Sequence, residues 1–334
     1  MELSIFMILR IFSTVSHYHK NLALLLVCYF FLSCGLQEPV EDQSAGEETP
    51  LQALKVNLYE GESDAFMPLK RSFQNQNAGY GIDWMPATLQ VIAKPDMRVL
   101  FVQRGSGTAT LSSGDASKIW QGDLILLRPG VGIETDSLID YLSFSTPDDA
   151  PASLPAFIRP DWDPDITDTP GGCATETGAY RRILLTWLED VGPYIFHSIN
   201  AHRVRIMDSF THYHPKDGGF DEFYLVQMAM PGARLLVSDH TMLIEDYESM
   251  EEEQLEGLLK EIGLKEGDLV YLPRGLIHRG LDGVLAQVIT IPGFKPGSEI
   301  GVDYYLRKIN QRFQLNGPDS LPYHYAASSE VLIK

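Results

Sequence analysis

The chain carries one pattern twice. Residues 121–135 read QGDLILLRPGVGIET and residues 266–280 read EGDLVYLPRGLIHRG. Each has Gly-Asp, then four mainly apolar residues of strand type, then Pro and Gly set for a tight turn. A repeat of this unit argues for two duplicated β halves, because a single copy cannot bury its own apolar face. The 28 glycines and 20 prolines supply the turns that such a fold needs. With 44% hydrophobic and 21% charged residues the chain can bury a real core.

The first half runs over 54–146 and includes RVLFVQRGSGTATLSSG, two strand-like runs about a glycine turn. Residues 147–179 are rich in Pro and Asp and read as a linker, since proline suits neither helix interiors nor central strands. The second half covers 180–334. One segment, 245–263, departs from the β pattern. Leu255, Leu258, Leu259 and Ile262 fall at helical spacing there. This predicts a short inserted helix with a solvated acidic face.

The N-terminus has its own chemistry. Arg10 and Lys20 precede the apolar run NLALLLVCYFFLSC, which is too short for a membrane span of ~20 residues and reads as an export signal over 1–33. The ending FLSCG resembles the lipobox of bacterial lipoproteins, although Phe31 stands where leucine is usual. That resemblance implies lipidation at Cys34 and an extracytoplasmic protein anchored at a bacterial-type membrane by lipid alone, with plain secretion as the alternative. Residues 34–53 are acidic and poor in apolar side chains, as a flexible tether would be. Beyond the signal and Cys34 only Cys173 remains, so a mature domain would hold no internal disulfide. The net charge of −19 and the lack of a basic patch exclude nucleic acid as a partner.

Candidate ligands for a metal lie in the second half. In FTHYHPKDGGFDEFYLV, His212 and His214 sit two apart, so on a strand both project to one face and Tyr213 to the other. PKDGG is turn chemistry, and a hairpin there would set Glu222 beside the histidine pair. His278 ends the second copy of the repeat. Three imidazoles and a carboxylate suit several divalent transition ions.

On these residues the second half resembles a cupin. Gly267, Pro273, Gly275 and His278 meet the family's second motif, G-x5-P-x-G-x2-H-x3-N, with Asp282 in the asparagine place. His212, His214 and Glu222 meet the first, except that seven residues separate His214 from Glu222 where three or four are usual. Glu222 is the expected ligand and Asp221 the fallback. The first half resembles a degenerate cupin. Arg98 begins the strand where a glutamate is expected, Ile133 or Glu134 falls where the last histidine would be, and 20–196 contain no histidine.

The resemblance implies an all-β chain of two tandem jelly-roll barrels, a bicupin, with one metal held by His212, His214, Glu222 and His278. Fe(II) is favoured, with Mn, Ni or Zn as alternatives. It further implies action on a small organic molecule as a dioxygenase, isomerase or lyase, the alternative being a non-catalytic lipoprotein that binds or senses a sugar-like ligand. Tyr224, His202, Arg205 and Gln287 are the candidates for touching substrate. A homodimer is left open.

Overall fold

The computed structural model describes residues 51–60, 63–171 and 179–334. The signal, Cys34, most of the tether and Cys173 lie outside the described residues, and no described helix is long and apolar enough to cross a membrane.

The expected two barrels are present, each built on one long bent strand. The first sheet contains β2 (Gly81–Val91), β3 (Met97–Arg104), β4 (Gly107–Leu111), β5 (Ala116–Ile119), β6 (Leu124–Leu127), β7 (Ile133–Thr146) and β8 (Phe157–Ile158). Here β7 pairs with β2, β3 and β4. The second sheet contains β1 (Leu54–Asn57), β9 (Arg181–Leu185), β10 (Asn200–Asp208), β11 (His212–Tyr213), β12 (Asp221–Ala229), β13 (Arg234–Ser238), β14 (Lys260–Gly263), β15 (Asp268–Leu272), β16 (Ile277–Ile291) and β17 (Ile300–Gly301). Here β16 pairs with β10, β11, β12 and β13. A jelly roll of this kind folds one strand across two sheet faces and so limits its open edges.

The repeated sequence pattern corresponds to a repeated structure. β6 leads through a turn into β7 as β15 leads into β16. Gly122 and Gly267 adopt φ +99° and +86°, which L side chains rarely reach. Asp123 accepts a hydrogen bond from the Trp120 N–H at 2.8 Å, and Asp268 accepts one from the Lys265 N–H at 2.9 Å. Both pin the same three-residue turn. The correspondence extends to the partner strand, where Arg98 pairs with Leu127 and Glu222 with Leu272.

Two features differ from the sequence reading. Leu54–Asn57, read as the start of the first half, pairs with β15 in the second sheet, so the chain crosses between the halves at its start. Residues 245–263 do not form the expected helix. The inserted helix is α2 (Thr241–Glu245), followed by a 3-10 turn at Glu252–Leu255 and by β14. The apolar residues that suggested one helical face serve two cores. Leu258 is buried beside Tyr213 and Ile309, whereas Ile262 packs on the interior of the second barrel. Gly257 at φ +74° breaks the run between Leu255 and Leu258.

The halves meet through the outer faces of their sheets. Phe101, Leu142 and Phe144 of the first pack on Phe223, Leu225 and Ile289 of the second. The helix α1 (Ser63–Gln76) adds Phe66, Leu69 and Phe73 to the same core. Phe73, Phe144 and Phe223 form an edge-to-face triangle with centroids 5.2–5.9 Å apart, the geometry aromatic rings prefer. Within this apolar layer Asp221 is fully buried and saturated. It accepts from Asn77 Nδ2 at 2.5 Å, Tyr271 OH at 2.8 Å, and Arg274 N and Nε at 2.9 Å each. Asp221→Asn removes a buried charge whose partner Arg274 is itself largely covered. The expected cost is on the order of 3 kcal/mol in denaturant unfolding. Metal content of the folded variant should be unchanged, because Asp221 faces away from the barrel interior.

Candidate metal centre

Alternation along β12 decides which side chain reaches the barrel interior. Asp221, Phe223 and Leu225 face the other half, while Glu222, Tyr224 and Val226 face inward. At β11, His212 and, just past the end of the strand, His214 turn inward and Tyr213 outward, where its hydroxyl donates to Glu245 at 2.6 Å. His278 enters from the start of β16 and pairs directly with His212.

The four side chains converge. One ligand atom from each of His212, His214, Glu222 and His278 lies within 4.8 Å of all the others, and all four residues are buried. His278 Nε2 is 3.3 Å from Glu222 Oε1 and His214 Nε2 is 3.9 Å from Glu222 Oε2. The route to this convergence is not the hairpin read from the sequence. β11 and β12 do not pair. β16 pairs with both instead, joining His212 to His278 at one end and Glu222 to Thr290 at the other. Residues 215–220, between His214 and the start of β12, form a loop. Gly219 is required there, since a Cβ would fall 2.1 Å from the Pro215 carbonyl oxygen.

The backbone sets the imidazole tautomers. His212 Nδ1 lies 3.1 Å from the Phe210 carbonyl, and His278 Nδ1 lies 3.1 Å from the Leu276 carbonyl. A carbonyl only accepts, so Nδ1 carries the proton and Nε2 presents its lone pair inward. Burial, then the charge of His278, hold the pKa of His212 and His214 well below the usual histidine value. Burial also pushes His278 down, but the Glu222 carboxylate, with an oxygen 3.3 Å from Nε2, outweighs it, and the net shift is upward. Nε2 of His212, His214 and His278 and Oε1 of Glu222 make no hydrogen bond among the described residues. Unpaired buried acceptors are costly, and a divalent cation satisfies all of these atoms together. The donor set therefore fits a transition ion.

Among the described residues the first barrel has no equivalent. At the position of Glu222 it has Arg98, which donates to the Ile92 carbonyl at 2.7 Å. At the position of His278 it has Ile133, buried in an apolar interior with Leu100, Val102 and Leu127.

Of the substrate candidates, two face the site. Tyr224 is fully buried with its ring edge-on to His278, centroids 6.5 Å apart. His202 lines a cavity of about 420 Å³ whose floor includes Glu222. Burial, then the charge of Arg181, hold His202 neutral. The other two point elsewhere, through the same alternation. Arg205 is exposed on β10. Gln287 faces the first barrel, accepting from Gln227 Nε2 at 3.1 Å and donating to the Gly122 carbonyl at 2.9 Å. Asp282 lies within β16 at φ +64° and pairs with Arg234, away from the cluster.

Sequence reasoning missed Glu299. Its Oε1 is 3.4 Å from His212 Nε2, and it lines the same cavity. Burial and the charge of Glu222 push its pKa up to about 7. It comes from the loop after β16, with no motif spacing to mark it.

No family model and no curated protein matches the chain. Among solved structures it is similar to oxalate decarboxylase of Bacillus subtilis, described for its Mn(II) centres. Identity is 14% and the TM-score 0.42, over 86% of this chain and 85% of that one. Procruciferin, an 11S globulin of Brassica napus, is 11% identical with a TM-score of 0.47, over 74% and 87% of the two chains. AerE of Microcystis aeruginosa is 10% identical with a TM-score of 0.40, over 64% and 86%. At such values these likenesses assign no function.

Proposed function

We propose that this chain is a metal-dependent enzyme of cupin type acting on a small organic molecule through the second barrel. One observation carries the reading. Three imidazole Nε2 atoms and one carboxylate, all buried, converge within 4.8 Å beside a cavity that reaches Glu222. His212, His214 and His278 would hold a divalent transition ion through Nε2 and Glu222 through its carboxylate, with Fe(II) favoured and Mn, Ni or Zn as alternatives. A bound ion of this class supplies Lewis acidity and, if redox-active, one-electron chemistry with oxygen.

The chain's own residues supply the rest. The carbonyls of Phe210 and Leu276 orient the imidazoles. Tyr224 backs His278, and the apolar interior of Val204, Val226 and Val288 keeps water from beneath the cluster. The first barrel then acts as a structural partner, with Arg98 and Ile133 in place of ligands. Export and lipidation at Cys34 remain part of the proposal, supported by the N-terminal sequence alone.

Protein purified as expressed should carry close to one transition-metal ion per chain by elemental analysis. His212→Ala/His278→Ala should lose it and remain folded, because the barrel cores do not depend on the ion. Full occupancy in that variant would refute the ligand set, and a second ion held between 55 and 150 would refute the asymmetry. Glu222→Gln, which removes the one anionic ligand, should weaken the metal at least tenfold in competition with a chelator. Oxygen-uptake screening of the loaded protein then separates an oxygenase from Lewis-acid chemistry. For the anchor, Cys34→Ser should abolish detergent-phase partitioning of the mature protein, and unchanged partitioning would contradict lipidation there.

A further inference from the structure

The cavity above the cluster has two chemically distinct sides. One is an aromatic staircase. Trp187 stacks on Phe294 with centroids 4.0 Å apart and planes at 26°. Phe294 meets Phe220 at 5.2 Å, and Phe220 lies on the imidazole of His214 at 3.9 Å. Leu188 and Val191 extend this wall toward the rim, where Leu188 is half exposed. It offers a flat apolar body a surface that ends against a metal-ligand residue.

The other side is polar and carries cations. Arg181 and Lys334 both line the cavity, and the charge of each acts on Glu299. The Lys334 ammonium rests 4.3 Å from the centre of the Phe210 ring. Among the described residues, buried polar atoms of the lining that make no hydrogen bond include Trp187 Nε1, His202 Nε2 and Thr290 Oγ1. Thr290 is only 5% exposed. An indole N–H can only donate, so it needs an acceptor that the protein does not provide. Buried polar atoms in native proteins are ordinarily paired, which points to an oxygen-bearing ligand.

Charge selects among such ligands. Neutral imidazoles, ionised Glu222 and a divalent ion leave the centre at about +1, to which Arg181 and Lys334 each add a positive charge. Glu299 offsets one of these when ionised, and Asp190 lies on the exposed rim. The balance is cationic and favours an anion. Size sets a further bound, because a cavity of about 420 Å³ suits a small organic molecule. A sugar would need several polar partners for its hydroxyls, and the aromatic side provides one, the Trp187 N–H.

We infer that the cavity binds a small carboxylic acid with a flat apolar body, of the size of benzoate or cinnamate. Its carboxylate lies at the metal and cationic side and its body against the Trp187–Phe294–Phe220 wall. This rests on the metal reading given above, and the test separates the two.

The test is calorimetric titration of Mn(II)-loaded protein, with metal content measured on the same sample. Benzoate should bind at least tenfold more tightly than acetate, which lacks the body. It should also exceed benzyl alcohol, which lacks the charge, and glucuronate, whose body is polar. Lys334→Ala should weaken benzoate several-fold and leave benzyl alcohol unchanged. Leu188→Glu, at the rim and outside the core, should weaken benzoate about tenfold. Tighter binding of glucuronate than benzoate, or equal binding of acetate and benzoate, would overturn the inference. A sample holding one ion per chain that binds none of the acids would overturn it too and leave the metal reading standing. A folded sample that takes up no ion would overturn the metal reading first.

Discussion

Everything at this site depends on the pleat of one strand. Asp221 and Glu222 are neighbours in sequence, both carboxylates and both buried, and the backbone sends them in opposite directions. Glu222 enters the barrel and meets three imidazoles. Asp221 enters the layer between the halves, where Asn77, Tyr271 and Arg274 surround it with donors. A slip of one residue in β12 would exchange them. It would leave a carboxylate unpaired in an aromatic core and replace the longer ligand with the shorter one. The register is held by pairing on both sides, with β15 and with β16, and by Phe223 wedged between Phe73 and Phe144.

The same constraint explains the division of labour between the halves. They share the strand–turn–strand unit down to the positive-φ glycines and the aspartates that accept from a backbone N–H three residues earlier. They differ in what the inward positions carry. Where the second barrel presents Glu222 and His278, the first has Arg98 and Ile133. A cation and an isoleucine cannot bind a metal, but they fill and close an interior. The outer face of that closed barrel then carries half of the core on which the second barrel rests. A polar seam adds specificity: Gln103 Nε2 donates to the Val226 carbonyl at 2.8 Å, and Gln287 reaches back to Gly122.

Much of this was legible in the sequence because it is local. Turn glycines, the i, i+2 pairing of His212 with His214, and the spacing from Gly267 to His278 each follow from a few residues of backbone geometry. The choice of Glu222 over Asp221 followed from which neighbours shared its face. What was not legible depends on distant partners. Leu54–Asn57 belongs to the second sheet because β15 offers it an edge more than 200 residues away. The spacing of Leu255, Leu258, Leu259 and Ile262 is helical, yet two cores divide these residues and β13 draws Lys260–Gly263 into a strand. α1, with Pro68 inside it, gave no clear periodic signal. Gln287 resembled a site residue until its place in the pleat was known, and Glu299 is brought to His212 only by the path of the loop after β16.

The central claim is that one ion sits in the second barrel, held by His212, His214, Glu222 and His278, and that the first barrel holds none. An anomalous-scattering map from crystals of the metal-loaded protein, recorded at the absorption edge of the ion, tests it most directly. The account predicts one strong peak per chain, bounded by the three Nε2 atoms and the Glu222 carboxylate, and no peak near Arg98 or Ile133. A peak at Asp221, or one inside the first barrel, would contradict it.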